Sequence, residues 1–161
     1  MWVLLAGCYD LESEIVERRQ WEMQDHEADF FTALDALRAG DLATAQRAGE
    51  GLGLRDPLPG VPAATAPFLE AVRATGQRLH AAPDLAVASR ELGVMVGHCA
   101  GCHTAVGVAA PAPVDTTHPQ NAAWMAVLFR DEAMWSRAAP SSAAAAWDAR
   151  LAELLGALPR G

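Results

Sequence analysis

The chain has 161 residues, with 12 basic against 20 acidic side chains, a net charge of −8, and arginine supplying every basic residue. That length suits one domain able to bury a core and a cofactor. The acidic balance excludes an easy nucleic-acid partner and favours a basic or neutral protein partner. Good helix formers dominate over β-branched residues and tyrosine, which points to an all-α fold.

In chain order, Leu5-Ala6-Gly7-Cys8 looks like a bacterial lipobox, in which the cysteine is lipidated and becomes the first mature residue. Met1 to Leu5 is shorter than an apolar signal core and lacks a basic stretch before it, so the true start is expected upstream. Residues 1–8 are read as a truncated lipoprotein signal and 9–161 as one helical domain. The competing reading is an apolar N-terminus with one unpaired thiol. No stretch approaches the ~18 apolar residues of a membrane-spanning helix, so membrane association is expected only through a lipid on Cys8.

Leu11 to Ala39 reads as a long amphipathic helix with Val16, Met23, His26, Phe30, Leu34 and Leu37 on one stripe. Gly40 suits its end and Asp41 the start of a second, short helix over about Leu42 to Gly49, closed by Gly51-Leu52-Gly53. A loop with Pro57, Pro59, Gly60 and Pro62 leads to a third helix over Ala63–Ala82, with Phe68, Val72, Gly76 and Leu79 inward. Pro83-Asp84 opens a fourth helix.

That fourth helix carries Cys99-Ala100-Gly101-Cys102-His103. Cys-x-x-Cys-His is the spacing that attaches a c-type haem: two thiols add across the porphyrin vinyl groups and the imidazole ligates iron. At about 100° per residue, Cys99, Cys102 and His103 fall within a roughly 100° arc and meet the same flat molecule. Leu85, Ala88, Leu92, Met95, Cys99, Cys102 and Val106 form one apolar seam beneath them. A structural zinc would need four ligands, and the one other cysteine is the distant Cys8. A thioredoxin-like pair would need a βαβ context that is absent from the sequence pattern.

Thr104 to Gln120 reads as a linker broken by Pro111, Pro113 and Pro119, followed by helices over Asn121–Ala138 and Ser142–Leu158. The first of these carries Trp124, Leu128 and Trp135; the second carries Trp147, Leu151, Leu154 and Leu158. The tryptophans are expected to pack the core and the haem edge.

Residues 84–103, together with Met23-Gln24-Asp25-His26 and Phe30 in the first helix, resemble the cytochrome c-prime family. The resemblance implies an antiparallel four-helix bundle over residues 11–106, here with two extra C-terminal helices in an extension over 107–161. Low-spin members of that family take a distal Met from the first helix; high-spin members leave the sixth iron position empty. Gly93 to Gly107 is also similar to the haem helix of the monodomain cytochrome c fold. On that alternative, residues 85–161 are the cytochrome and the last helix packs across the haem helix.

The candidates for the distal iron ligand are Met23 or His26, with His118 in the linker as a weaker one; Met125 and Met134 lie in the extension. Against each stands a plain structural role: core filling for Met23, a satisfied polar group for His26, a solvated loop for His118. His80 is read as structural, and Arg90 and His98 as propionate partners or solvated side chains. The expected protein is an exported, non-enzymatic electron carrier on the periplasmic side of a bacterial membrane, with one covalent haem c. The alternative is a diatomic-gas sensor with an open or displaceable sixth position. A peroxidase pairing of His26 with Asp25 or Asp29 ranks third. Oligomeric state is left open, a dimer being compatible with the sequence.

Overall fold

The computed structural model describes residues 11–55, 61–108, 121–138 and 146–159, with side chains from residue 23 onward. Every regular element among them is helical: α1 Leu11–Ala39, α2 Leu42–Leu54, a 3₁₀ turn Ala63–Thr65, α3 Ala66–His80, α4 Leu85–Val106, α5 Asn121–Phe129, α6 Glu132–Ala138 and α7 Trp147–Gly156. The all-α expectation therefore holds for the described chain. No described helix is long and apolar enough to cross a membrane.

The turns follow from local chemistry. Gly40 takes φ 73°, a left-handed conformation that glycine adopts without a Cβ clash, so α1 stops there. Asp41 then accepts from the Thr44 backbone N–H at 3.0 Å and starts α2. Asp84 caps α4 in the same way, accepting from Val87 N–H at 2.8 Å. At the far end of α4, Gly107 at φ 68° lets the Val108 N–H reach back to the His103 carbonyl at 3.1 Å.

Successive helices α1 to α4 run antiparallel. Asp29 of α1 meets Gly51, and Arg55 beyond α2 reaches Asp25. Gly49 lies against His80 and Gly53 against Gln77. Arg78 of α3 pairs with Glu91 of α4 at 2.8 Å, while Phe68 packs on Gly101.

The second helix does not end at Gly49. It continues to Leu54 because the glycines that read as terminators are contact points. A Cβ on Gly49 would lie 2.7 Å from the His80 backbone nitrogen, and one on Gly76 would lie 2.7 Å from the Gly53 nitrogen. Hydrogen in place of a side chain lets the α2 and α3 backbones touch.

The expected single helix over Asn121–Ala138 is also two. Arg130 adopts φ 50°, with Arg130 N–H bonded to Val127 O at 3.3 Å and Asp131 N–H to Ala126 O at 2.9 Å. Asp131 then accepts from Met134 N–H at 2.8 Å and caps α6. Three described helices, rather than two, thus follow residue 107.

Those helices share the core of the first four. Phe30, Leu34, Leu37, Leu79, Leu92, Met95, Trp124, Met125, Trp135 and Leu158 belong to one buried cluster, each large apolar side chain contributing about 1.5–3 kcal/mol by leaving water. Phe30 meets Trp124 edge-on with ring centroids 6.2 Å apart. Arg38 donates to Asn121 Oδ1 at 2.7 Å. Leu155 of α7 sits on Gly93 of α4, its Cδ1 2.5 Å from where a glycine Cβ would be. Arg150 is buried between the rings of Trp147 and Trp135 and donates to Glu132 at 2.8 Å.

Candidate cofactor site

Cys99, Cys102 and His103 occupy the last turns of α4, all three half-buried on one arc of the helix. The opposite side of the same turns is used for packing: Ala100 is buried and Gly101 lies beneath the Phe68 ring, whose Cε1 is 2.5 Å from the position of a Cβ. A larger residue at 101 would push α3 away. The motif's two small residues therefore seat the helix while its three chemical residues face away from α3.

Both thiols are free. Burial pushes the Cys99 thiol up to about 12, with the neighbouring Cys102 adding to the rise, and burial raises Cys102 as well. The pair also lies at the carbonyl end of α4, where the helix field disfavours a thiolate. Reactive dithiols instead sit at helix N-termini with depressed pKa values. These two are poor exchange nucleophiles, which weighs against a thiol–disulfide role.

The imidazole of His103 is fixed by α5. Its Nδ1 lies 3.0 Å from the Leu128 carbonyl oxygen. A carbonyl can only accept, so Nδ1 carries the proton and Nε2 keeps its lone pair. The carbonyl is available because α5 ends in a turn closed by the Ala126 and Val127 carbonyls, leaving that of Leu128 without a helical partner. Phe129 stacks flat on the imidazole, with centroids 4.2 Å apart and planes 7° from parallel. Desolvation lowers the His103 pKa, and the bond to Leu128 opposes that fall. The ring is thus held neutral and singly oriented, the state a metal ligand requires.

Of the distal candidates, Met23 lies on the α1 stripe by angle yet is 36% exposed. His26 is half-buried, and its Nε2 is sealed from solvent with no hydrogen-bond partner among the described residues. Such an atom costs about 1–3 kcal/mol if left alone. Desolvation, then the charge of Arg55, lowers the His26 pKa to about 4, so the ring is neutral. Asp25 and Asp29, considered above as acid–base partners of His26, are both engaged by Arg55. Cys8 and His118 lie outside the described residues.

The remaining candidates are accounted for. His80 Nδ1 lies 3.1 Å from the Gln46 carbonyl, as a structural histidine would. Met125 is buried, Met134 packs half-buried against the core, His98 is half-buried and Arg90 is exposed. Among the described residues no group of three or more His, Cys, Asp or Glu side chains is arranged to hold a metal ion by itself.

A groove of about 470 Å³ runs between α4 and α7, lined by Ala86, Ser89, Arg90, Gly93, Val94 and Leu155. Arg90 is about two and a half turns from Cys99, on the opposite side of the helix. That groove belongs to the α4–α7 crossing and not to the cysteine face.

The residues missed from the sequence are Leu128, Phe129 and Arg55. Phe-Arg-Asp-Glu at 129–132 did carry a signal, since Asp131 marks a helix start and hence an α5 terminus with free carbonyls. No family model, no curated protein and no solved structure matches this chain.

Proposed function

We propose that the chain is an exported c-type cytochrome that carries one covalent haem c and acts as an electron carrier. The observation that supports this most is the pairing of His103 Nδ1 with the Leu128 carbonyl. It leaves Nε2 as the free donor on the same arc as two protonated thiols. The donor set fits the group: Cys99 and Cys102 would hold it through thioethers, and His103 would provide the proximal nitrogen. When bound, the haem supplies a one-electron iron couple. The chain's own part is to hold His103 in one tautomer, cover its ring with Phe129 and seat the motif's helix against α3 through Gly101.

For the architecture, we propose a cytochrome c-prime-like bundle of α1 to α4, closed by α5, α6 and α7. The antiparallel order of the first four helices supports it. The Leu155–Gly93 contact favours the competing monodomain form, in which the last helix crosses the haem helix. The alternative function, diatomic-gas binding at an open sixth position, draws support from the exposure of Met23. The proposed location is the periplasmic side of a bacterial membrane, with a lipid on Cys8 and a redox protein as partner.

Acid–acetone treatment of the purified mature protein tests the central reading. Haem should stay with the polypeptide, whose intact mass should include one haem. Haem in the organic phase, or a mass without it, overturns the proposal.

A further inference from the structure

We propose that the break between α5 and α6 is a positioning device for His103, in which Arg130 and Asp131 free the Leu128 carbonyl that orients the imidazole. Its use to the molecule rests on the haem reading above, since orientation matters to an iron ligand; the device itself is a property of the chain.

The ground is an exchange of hydrogen-bond partners. The residue pattern over 121–138 is that of one continuous helix, in which each N–H meets the carbonyl four residues back. Arg130 would then bond Ala126, Asp131 would bond Val127, and Glu132 would claim Leu128. Instead, Arg130 N–H donates to Val127 O at 3.3 Å and Asp131 N–H to Ala126 O at 2.9 Å. The Leu128 carbonyl, released from the helical pattern, accepts from His103 Nδ1 at 3.0 Å. His103 and Glu132 thus compete for one oxygen, and the break settles which of them has it.

The break is held against a cost. Arg130 has φ 50°, and among the described residues no other non-glycine has a positive φ. Helices commonly stop this way on glycine, which has no Cβ to clash. The Arg130 side chain is exposed, so the conformation serves the path of the backbone. Such strain persists where surrounding contacts over-determine it, and here they lie in α6 and α7. Asp131 accepts from Met134 N–H at 2.8 Å with its side chain and from Trp135 N–H at 3.0 Å with its carbonyl, so a new helix starts. Trp135 is buried, and Arg150 of α7 lies 5.2 Å over its ring while donating to Glu132 at 2.8 Å. The helices that follow the motif therefore act on the proximal imidazole through this turn.

The test reads the ring nitrogens of His103 by NMR in the nitrogen-15-labelled full chain, with and without haem. Arg130→Gly adopts the left-handed conformation freely, and Arg130→Val resists it. Exchange of the Nδ1 proton with water should slow about fivefold in the first and quicken about fivefold in the second. Asp131→Ala should follow Arg130→Val, while Asp131→Asn, which still caps, should follow wild type. In the haem-loaded chain Arg130→Val should raise the reduction potential, because a weaker Nδ1 bond makes a less basic ligand. Backbone amides of Arg130 and Asp131 that follow the series while the His103 ring does not would overturn the inference, leaving a helix stop with no part in orienting the ligand. If Arg130→Val fails to fold, the exchange rate in Arg130→Gly decides alone. Absence of covalent haem from the wild-type mass defeats the haem reading instead, and the haem-free series is judged separately from it.

Discussion

Phe129 lies flat against His103, 4.2 Å between centroids, while the carbonyl one residue earlier fixes the same ring's proton. One helix end therefore sets both the tautomer and the plane of the imidazole. On the haem reading, Phe129→Ala should keep the attachment, because Cys99 and Cys102 are untouched, and should lose about 1 kcal/mol of stability from a half-buried ring. Its reduction potential should shift, since the imidazole is free to rotate and its bond to Leu128 is weakened. A potential equal to wild type would show that the stack does not orient the ligand.

On the proposed reading, the two thioethers are separable. Cys99→Ala or Cys102→Ala should leave haem joined by one bond, and the double variant should release it to acid–acetone. His103→Ala should retain some covalent haem at low yield but lose the proximal field, read as a changed ferric spectrum.

Export makes its own prediction. Expressed behind a lipoprotein signal peptide, the protein should partition into detergent if the proposed lipid forms, and Cys8→Ser should move it to the aqueous phase. A wild-type protein that stays aqueous with unmodified Cys8 rules out the lipid anchor.

Three glycines in helices should respond to alanine in different ways. Gly97 faces open space, so Gly97→Ala should stabilise by up to ~1 kcal/mol through helix propensity. Gly76→Ala meets backbone at 2.7 Å and should destabilise by about 1–3 kcal/mol despite the same propensity gain. Gly93→Ala meets the tip of Leu155 at 2.5 Å, a flexible end that can move, so its loss should be smaller. Thermal or urea unfolding gives the order.

In the haem-free chain, acid should weaken the fold before the carboxylates titrate. His26 sits near 4 in the native chain against 6.5 when unfolded, so the unfolded state binds more protons between those values. Stability therefore rises with pH across that window and is lost as pH falls from 6.5 toward 4, by about 3 kcal/mol for this group. His103, lowered mainly by burial, acts in the same sense. Glu27, raised by burial, opposes them at the acid end. Urea titrations at pH 7 and pH 5 should show a smaller pH effect for His26→Gln than for wild type; an unchanged slope removes His26 from the account.

Much of this was legible in residue order. The α1 stripe, the Gly40–Asp41 turn, the Asp84 cap and the shared arc of Cys99, Cys102 and His103 follow from periodicity and capping alone. The α2 boundary was not, because Gly51 and Gly53 stop a helix in isolation but permit close approach when α1 presents Asp29 to the first and α3 presents Gln77 to the second. Met23 and His26 look alike on a helical wheel. Their difference in burial, Met23 exposed and His26 half-buried, is a tertiary fact. The Leu128 carbonyl was invisible for a different reason: it is backbone, and any residue there would carry it.

The buried state of Cys99 bears on the order of events in maturation. Burial raises the Cys99 thiol, and the thiolate is the reactive form, so docking α4 makes this sulfur a weaker nucleophile than it is in the open chain. On the proposed reading, attachment is favoured while the chain is still open, and the helices then close over a finished adduct. On that reading, folding ahead of attachment would slow it, and the order of folding and cofactor delivery becomes part of how this molecule is built.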